Sequence, residues 1–384
     1  MEDFSFYNPT NYIFGKNALD SLASETAKIG KKVFVTYGGG SIKKNGIYDK
    51  VMQQLTDFDV QEFGGIEPNP RVETLRKAIA QAKEFQPDII LAVGGGSTID
   101  GSKLIAAATY YDGDAWDVIA TKGEKIAAKI IPLATVLTIS ATASEVNGGS
   151  VITKWETNEK DYFSTVKVNP VFSIVNPEFQ YSLPVDQSAY GVIDTFSHIL
   201  EQYINQTEHA TVQDRFAEGL MLTLIEWGPV VLKEPTSYSA RANIAFAASM
   251  ALNNLIGSGV GQDWATHELE HVVSGFYDIP HAAGLAVITP RWMKHIGLTQ
   301  KLAKMAQYGR RVWGLSGTNE EVAQQAINKT SEFFESLGVK MTFSEWGISS
   351  TEVAKLVEKA VNRDPMGEIP LNEEQMRAIY SDCF

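Results

Sequence analysis

One cysteine, Cys383, is all that the 384 residues contain. A disulfide within the chain and a thiolate cage for a metal are both excluded, since each needs more than one sulfur. Basic residues are the minority, 33 Lys and Arg against 46 Asp and Glu, which leaves a formal net charge of -13 and a pI near 5.0. Such a surface repels nucleic-acid phosphates and anionic membranes, so neither is an expected partner, whereas a small molecule is. Long apolar runs are missing as well. None approaches the roughly 20 residues of a membrane span, and the N-terminal "MEDFSFYNPTNYIFG" lacks the apolar core of a signal peptide. A soluble, cytoplasmic protein is expected. Internal repeats, low-complexity segments and charged tails are also absent. What the chain does have is 44% hydrophobic residues, enough for a full core, and a length that suggests two or three domains at about 150 residues each.

From Lys31 to about Asn176 short β-rich runs alternate with helical periods. "KKVFVTY" ends in Gly38-Gly39-Gly40 and "DIILAV" ends in Gly94-Gly95-Gly96. Between them Val72, Leu75, Ile79, Ala82 and Phe85 recur at three- and four-residue steps, the mark of an amphipathic helix. Further strands are expected in "KIIPLATV" and "VFSIV". Strand, helix, strand with nearly continuous apolar strands predicts a buried parallel sheet. After "VNPEFQYSLP" the strand runs fade, and the rest reads as helix, including Gln187 to Asn205, Val212 to Leu232 and Ala240 to Leu255. The expected architecture is an α/β dinucleotide-binding domain over 1–181 followed by an all-α domain over 182–384.

"LAVGGGSTIDGSK" follows an apolar strand directly. Its three glycines let backbone N–H groups converge on an anion, and Ser97 or Thr98 could cap the helix that follows, whose N-terminus is partly positive. Gly94 to Ser97 therefore form an expected pyrophosphate seat. Asp100, in the first helical turn, reads either as a dipole partner or as a ligand contact. The earlier "VTYGGGSIKK" stands where a dinucleotide-binding fold usually offers a carboxylate to the adenosine ribose. No carboxylate occurs between Val35 and Lys44; Gly38, Gly39, Gly40 and Ser41 offer small residues and a hydroxyl, with Lys43 and Lys44 nearby. That composition suits the 2′-phosphate of NADP. "TISATASEVNGG" adds Thr138, Ser140, Thr142 and Ser144 in one loop.

The second half carries a different chemistry. In "AYGVIDTFSHILEQY" Asp194 and His198, at i and i+4, share one helical face, and "QDWATHELEHVVSGFYDIPHAAG" adds His267, His271 and His281 with a second such pair. Set among apolar neighbours, these groups need a common partner. One carboxylate with two or three imidazoles fits Zn2+ or Fe2+ better than Ca2+ or Mg2+, which prefer oxygen shells. Spacing alone leaves open which of His267, His271 and His281 are ligands. His209 and His295 read as ordinary residues.

These motifs, together with "FGKNALDSL", "FGGIEPNPRVETL" and "LPVDQSAYGVIDTFSHILEQY", resemble the iron-containing (group III) alcohol dehydrogenases over essentially the whole chain. Within that family the chain is most similar to the NADPH-dependent aldehyde reductase and butanol dehydrogenase branch. The resemblance implies a dehydroquinate synthase-like fold, with the active site in the cleft between the two domains and a homodimer built through "FYNPTNYIFG". It implies metal ligation by Asp194, His198, His267 and His281, and a catalytic position for His271 beside nicotinamide and substrate. It further assigns Gly94 to Ser97, Thr138 and Thr142 to NADP(H), Asn69 of the Pro68-Asn69-Pro70 turn to the adenosine side, and Lys160 to the nicotinamide side. Two positions depart from the family pattern: Ala143 stands where glycine is usual, and Asn176 where aspartate is. The implied activity is hydride transfer between NADP(H) and small aliphatic aldehydes or alcohols. A dehydroquinate-synthase-like lyase would need basic residues to grip a phosphorylated acid. The metal helices instead carry Trp264, Phe276, Tyr277 and Ile279. A metal store or sensor would not need two intact glycine clusters.

Overall fold

The computed structural model describes residues 1–363 and 367–384. Two compact units divide the chain: Tyr7–Leu183 with Pro235–Ala245 forms one, and Met1–Phe6 with Pro184–Glu234 and Phe246–Phe384 forms the other. The main junction, at Leu183–Pro184, lies close to the composition shift at residue 181. The two short segments that cross the division carry no compositional mark.

The first unit is built on β1 (Asn11–Phe14), β2 (Lys32–Tyr37), β3 (Asp59–Phe63), β4 (Ile89–Gly94), β5 (Leu133–Leu137) and β8 (Phe172–Val175). They form a six-stranded sheet in the order β1-β8-β5-β4-β2-β3, with every described pairing parallel. Both faces are covered, which is why its central strands read as continuous apolar runs. Alternate residues go to opposite sides: Phe34, Ile90 and Ala92 pack with Leu75, Ile79 and Ile105, whereas Val33, Val35, Ile89 and Leu91 pack with Leu22, Ile47 and Val51. The helix expected from the 72–85 periodicity is Val72–Phe85, ended by Gln86 in the left-handed region at φ 53. Because the strands are parallel, the segments after β2, β4 and β5 leave the same edge of the sheet, where Gly38, Gly95 and Thr138 lie.

A hairpin the sequence reading did not include, β6 (Gly149–Lys154) with β7 (Glu159–Ser164), forms a second, antiparallel sheet. Its Thr153 N–H donates to the Pro70 carbonyl at 2.8 Å, which docks the hairpin on the Pro68–Pro70 turn.

The second unit is helical, with no strand among the described residues after Val175. Val185–Tyr203 runs through its centre, and every residue from Gly191 to Tyr203 is buried. Thr211–Lys233, Ala265–Tyr277 and His281–Trp292 surround it or follow it in the chain. The helix expected to reach Leu255 covers Tyr238–Ala251 instead, beginning in the Pro235–Ala245 segment of the first unit; Asn254, at φ 72, has left the helical region. No described helix is long and apolar enough to cross a membrane.

Candidate metal centre and nucleotide cradle

Asp194, His198 and Glu201 occupy positions i, i+4 and i+7 of the Val185–Tyr203 helix and so share a face. His267, Glu270 and His271, at i, i+3 and i+4, likewise share a side of Ala265–Tyr277. That helix stops at Asp278, which takes the left-handed conformation at φ 50, and Pro280 then caps the next helix. The turn delivers His281 as that helix's first residue.

These elements bring three imidazoles around one oxygen. The Nε2 atoms of His198, His267 and His281 lie 3.7, 3.8 and 3.7 Å from Asp194 Oδ1. The rings of His198 and His267 stack at 4.7 Å. Such separations exceed a hydrogen bond, and Asp194 Oδ1 and His267 Nε2 are buried with no hydrogen-bond partner. Two orphaned buried polar atoms are costly unless something shared satisfies them. Metal bonds of about 2.0–2.2 Å would set tetrahedral ligand atoms about 3.3–3.6 Å apart, so small adjustments fit the set to an ion. His271 lies a turn along from His267, its ring 5.4 Å from that of His281. Geometry therefore separates what spacing could not: the group facing Asp194 is His198, His267 and His281.

The electrostatics agree with a cation at this point. Burial opposes charge on Asp194, yet His198, His267 and His281 hold its carboxyl far below the usual carboxylate range. Burial pushes His198 down to about 4, which keeps it a neutral ligand near pH 7. At His267 burial also pulls downward, but Glu201 and Asp194 prevail and carry it up to about 10.

Two carboxylates absent from the sequence-based site orient the ligands. Glu201 pairs with His267 Nδ1 through one oxygen and through the other accepts from Thr266 Oγ1 at 2.5 Å and the His267 N–H at 3.1 Å. Glu270 pairs with His281 Nδ1. Both are fully buried, and each holds its imidazole by Nδ1 with Nε2 turned to Asp194, the arrangement of an outer carboxylate behind a metal-bound histidine. Gly284 makes the second contact possible, because a Cβ there would stand 2.6 Å from Glu270 Cγ. A signal was available: each is a carboxylate three residues from a histidine, on a helical face that already carries a candidate ligand.

In the α/β unit the second glycine cluster crowds the start of the Gly96–Ala108 helix. A Cβ on Gly94 would lie 2.5 Å from Thr98 Oγ1, one on Gly95 2.9 Å from Ile139, and one on Gly96 2.5 Å from Thr142. One on Gly38 would lie 3.2 Å from the Ile66 carbonyl, whereas Gly39 and Gly40 face open space. Ser97 and Thr98 do not cap this helix, contrary to expectation. Gly95 is the cap residue and no side chain bonds to the first turn, which leaves its amides for an anion. Asp100 turns inward: Oδ1 accepts from Ser144 Oγ at 2.5 Å and Oδ2 from the Val151 N–H at 3.0 Å, so the structure shows it bracing the 138–151 segment. Lys103, wholly buried, reinforces the brace by donating to Ser144 Oγ, Asn147 Oδ1 and the Gly149 carbonyl. Thr138 donates its N–H to Gly94, and Lys160 on β7 donates to Asn69 Oδ1 at 3.0 Å. Beside Ser41, Lys43 is paired with Glu62 of β3 at 3.3 Å, a carboxylate the local sequence of the Gly38–Ser41 turn did not reveal.

The profile described as "Iron-containing alcohol dehydrogenase" matches residues 9–177, and that of the "Fe-containing alcohol dehydrogenase family, C-terminal" matches 188–384. The chain belongs to the iron-containing alcohol dehydrogenase family. Among members of this family, the chain is 44% identical over 362 residues to the NADPH-dependent aldehyde reductase YqhD of Escherichia coli, covering 94% of this chain and 93% of that protein. It is 42% identical over 385 residues to the probable NADH-dependent butanol dehydrogenase 1 of Bacillus subtilis, with 99% of both covered. The crystal structure of E. coli K-12 YqhD superposes with a TM-score of 0.96 at 42% identity, covering 100% of this chain and 99% of that one.

Both departures from the family pattern have structural counterparts. Ala143 is buried in the left-handed region at φ 52, where a side chain is strained and glycine is not. Asn176 accepts from the Glu178 N–H through Oδ1 and donates through Nδ2 to the Lys16 carbonyl, both at 2.9 Å. An aspartate could make only the first of these bonds.

Proposed function

We propose that this chain is a metal-dependent alcohol dehydrogenase, or aldehyde reductase, that exchanges hydride between NADP(H) and small aliphatic aldehydes or alcohols. The observation that carries the reading is the convergence of three buried imidazoles on Asp194 Oδ1, with orphaned atoms at its centre. Bound there, Fe2+ or Zn2+ supplies Lewis-acid polarisation of the carbonyl, and the reduced nicotinamide supplies the hydride. Asp194, His198, His267 and His281 hold the ion, while Glu201 and Glu270 fix the two imidazoles behind them. His271 is the next titratable group and donates the proton that completes the alcohol. Trp264 stands edge-on to His198 and His267, with ring centroids 6.2 and 5.5 Å away, an apolar wall that favours simple aldehydes.

On the cofactor side Gly94 to Ser97 receive the pyrophosphate, with Thr138 and Thr142 beside them. Gly38, Gly39, Gly40 and Ser41 receive the adenosine ribose and its 2′-phosphate. Support for NADP(H) comes from the open space at Gly39 and Gly40 and the lack of a carboxylate on the turn itself. Lys160 and Asn69 act as a bonded pair. The exposed edge of β1 suits pairing with a second copy, so a homodimer is part of the proposal.

Metal-stripped protein, refilled separately with Fe2+ and Zn2+, is to be assayed with butanal and each reduced cofactor. Consumption of reduced nicotinamide that vanishes on stripping and returns on refilling is expected. Turnover indifferent to metal, or tight metal binding without turnover, would overturn the proposal. His271→Ala should lower kcat and flatten its pH profile; normal turnover across pH would remove the proton role.

A further inference from the structure

Glu62 closes a four-residue cluster beside the Gly38–Ser41 turn. Lys43 Nζ stands 3.3 Å from Glu62 Oε2 and over two phenol rings, 4.7 Å from the centroid of Tyr37 and 4.3 Å from that of Tyr48. Tyr37 donates its hydroxyl to the same Oε2 at 3.1 Å, and Tyr48 donates to Oε1. The two rings meet edge to face at 6.2 Å, so the exposed lysine and the half-buried carboxylate are held against an aromatic pair at the surface. Parallel pairing creates the meeting: Val35 of β2 stands opposite Glu62 of β3, and Lys43 follows on the helix Ser41–Lys44 that starts from Gly40.

Each charge has its own preference among nicotinamide dinucleotides. A lysine attracts the 2′-phosphate of NADPH, whereas a carboxylate accepts hydrogen bonds from the free ribose hydroxyls of NADH and repels a phosphate. Here the two are locked together. Hydrogen bonding with Tyr37 and pairing with Glu62 push Lys43 up to about 12. Against the effect of burial, Tyr48, Lys43 and Tyr37 hold the Glu62 carboxyl below its usual range. Both groups therefore stay ionised at neutral pH.

We propose that Glu62 determines the cofactor preference of this enzyme: by holding Lys43 against the Tyr37–Tyr48 pair it weakens the grip on the 2′-phosphate and keeps NADH usable beside NADPH. The inference rests on the reading that Gly38 to Ser41 receive the adenosine ribose. Replacing the carboxylate by an amide keeps an acceptor for one of the two tyrosines, frees Lys43 for the phosphate and removes a charge that repels it. The last two effects favour NADPH.

The test measures the ratio of kcat/KM for NADPH to that for NADH, with butanal, in the wild type, Glu62→Gln, Lys43→Met and the double variant. The ratio should rise about tenfold in Glu62→Gln and fall about tenfold in Lys43→Met, the scale of one hydrogen bond to a charged group. In the Lys43→Met background Glu62→Gln should raise it by less than in the wild type, because only the removed repulsion remains. A binding measurement free of turnover accompanies this: calorimetric affinity for adenosine 2′,5′-bisphosphate relative to 5′-AMP should move in the same directions. If Glu62→Gln leaves both ratios within about twofold, as an ordinary surface ion pair would, the inference fails while the reading beneath it stands. A wild type that binds neither adenosine nucleotide overturns both.

Discussion

Removing the carboxylate of Glu270 tests the metal centre from behind. Glu270 touches no part of Asp194 in the described contacts; its fully buried carboxylate meets His281 Nδ1, and Gly284 provides the room. Glu270→Ala deletes the acceptor that fixes the tautomer and tilt of His281. It also removes one of three carboxylates, with Asp194 and Glu201, arranged around the imidazoles. Loss of such an outer partner costs about 10–100-fold in metal affinity, or about 1.4–2.8 kcal/mol. Glu270→Gln keeps an acceptor for the Nδ1 proton but not the charge, so it should fall near the lower limit, about tenfold. Competition between stripped protein and a chromogenic chelator for Zn2+ gives the affinities, Co2+ absorption reports whether the coordination geometry survives, and melting curves show that the variants fold. If Glu270→Ala retains metal within about threefold of the wild type, the carboxylate does not orient the ligand and the argument for a two-layer site is wrong.

Because His267 is carried up to about 10 and must shed its proton to bind metal, affinity for Zn2+ should rise about tenfold per pH unit between about pH 7 and 9; a flat profile would contradict a protonated apo site. His198, pushed down to about 4, is already neutral there and adds nothing to the slope. Burial holds Lys103 down at about 8, so above that pH the unfolded chain keeps more protons than the folded one and this group favours folding increasingly as pH rises. Between about pH 7 and 9.5 the unfolding free energy of the wild type relative to Lys103→Met should therefore improve by about 2 kcal/mol, measured by denaturant titration; an unchanged difference would refute the buried-charge reading. Ala143→Gly should relieve a left-handed strain of about 1–2 kcal/mol and return about 0.4–1 kcal/mol through the entropy of the unfolded chain, a net gain of up to about 1.6 kcal/mol seen as a higher melting temperature. A lower melting temperature would show that Ala143 is not strained.

Local pattern carried the sheet and the site only as far as local physics reaches. The central strands and the Val72–Phe85 helix were legible because burial imposes continuous apolar runs on the former and a 3.6-residue period on the latter. The edge strand β3 went unread because it has a solvent-facing side and thus no such run, and the β6–β7 hairpin because its alternation is weak, while β1 entered only as the N-terminal strand that the family resemblance implied in "FYNPTNYIFG". Asp194, His198 and the later histidines could be named from i, i+4 spacing, but a helix presents both His267 and His271 toward one side. Only the left-handed turn at Asp278 and the entry of His281 beside Asp194 decided which three imidazoles face the carboxylate. Glu201 and Glu270 found their histidines, and Glu62 its lysine, through contacts between separate elements. By itself the sequence determined an α/β unit, a helical unit and a set of residues able to bind metal and dinucleotide. Tertiary structure decided which carboxylate stands behind which nitrogen, because charge pairing depends on distance through space and the chain's own order does not record it.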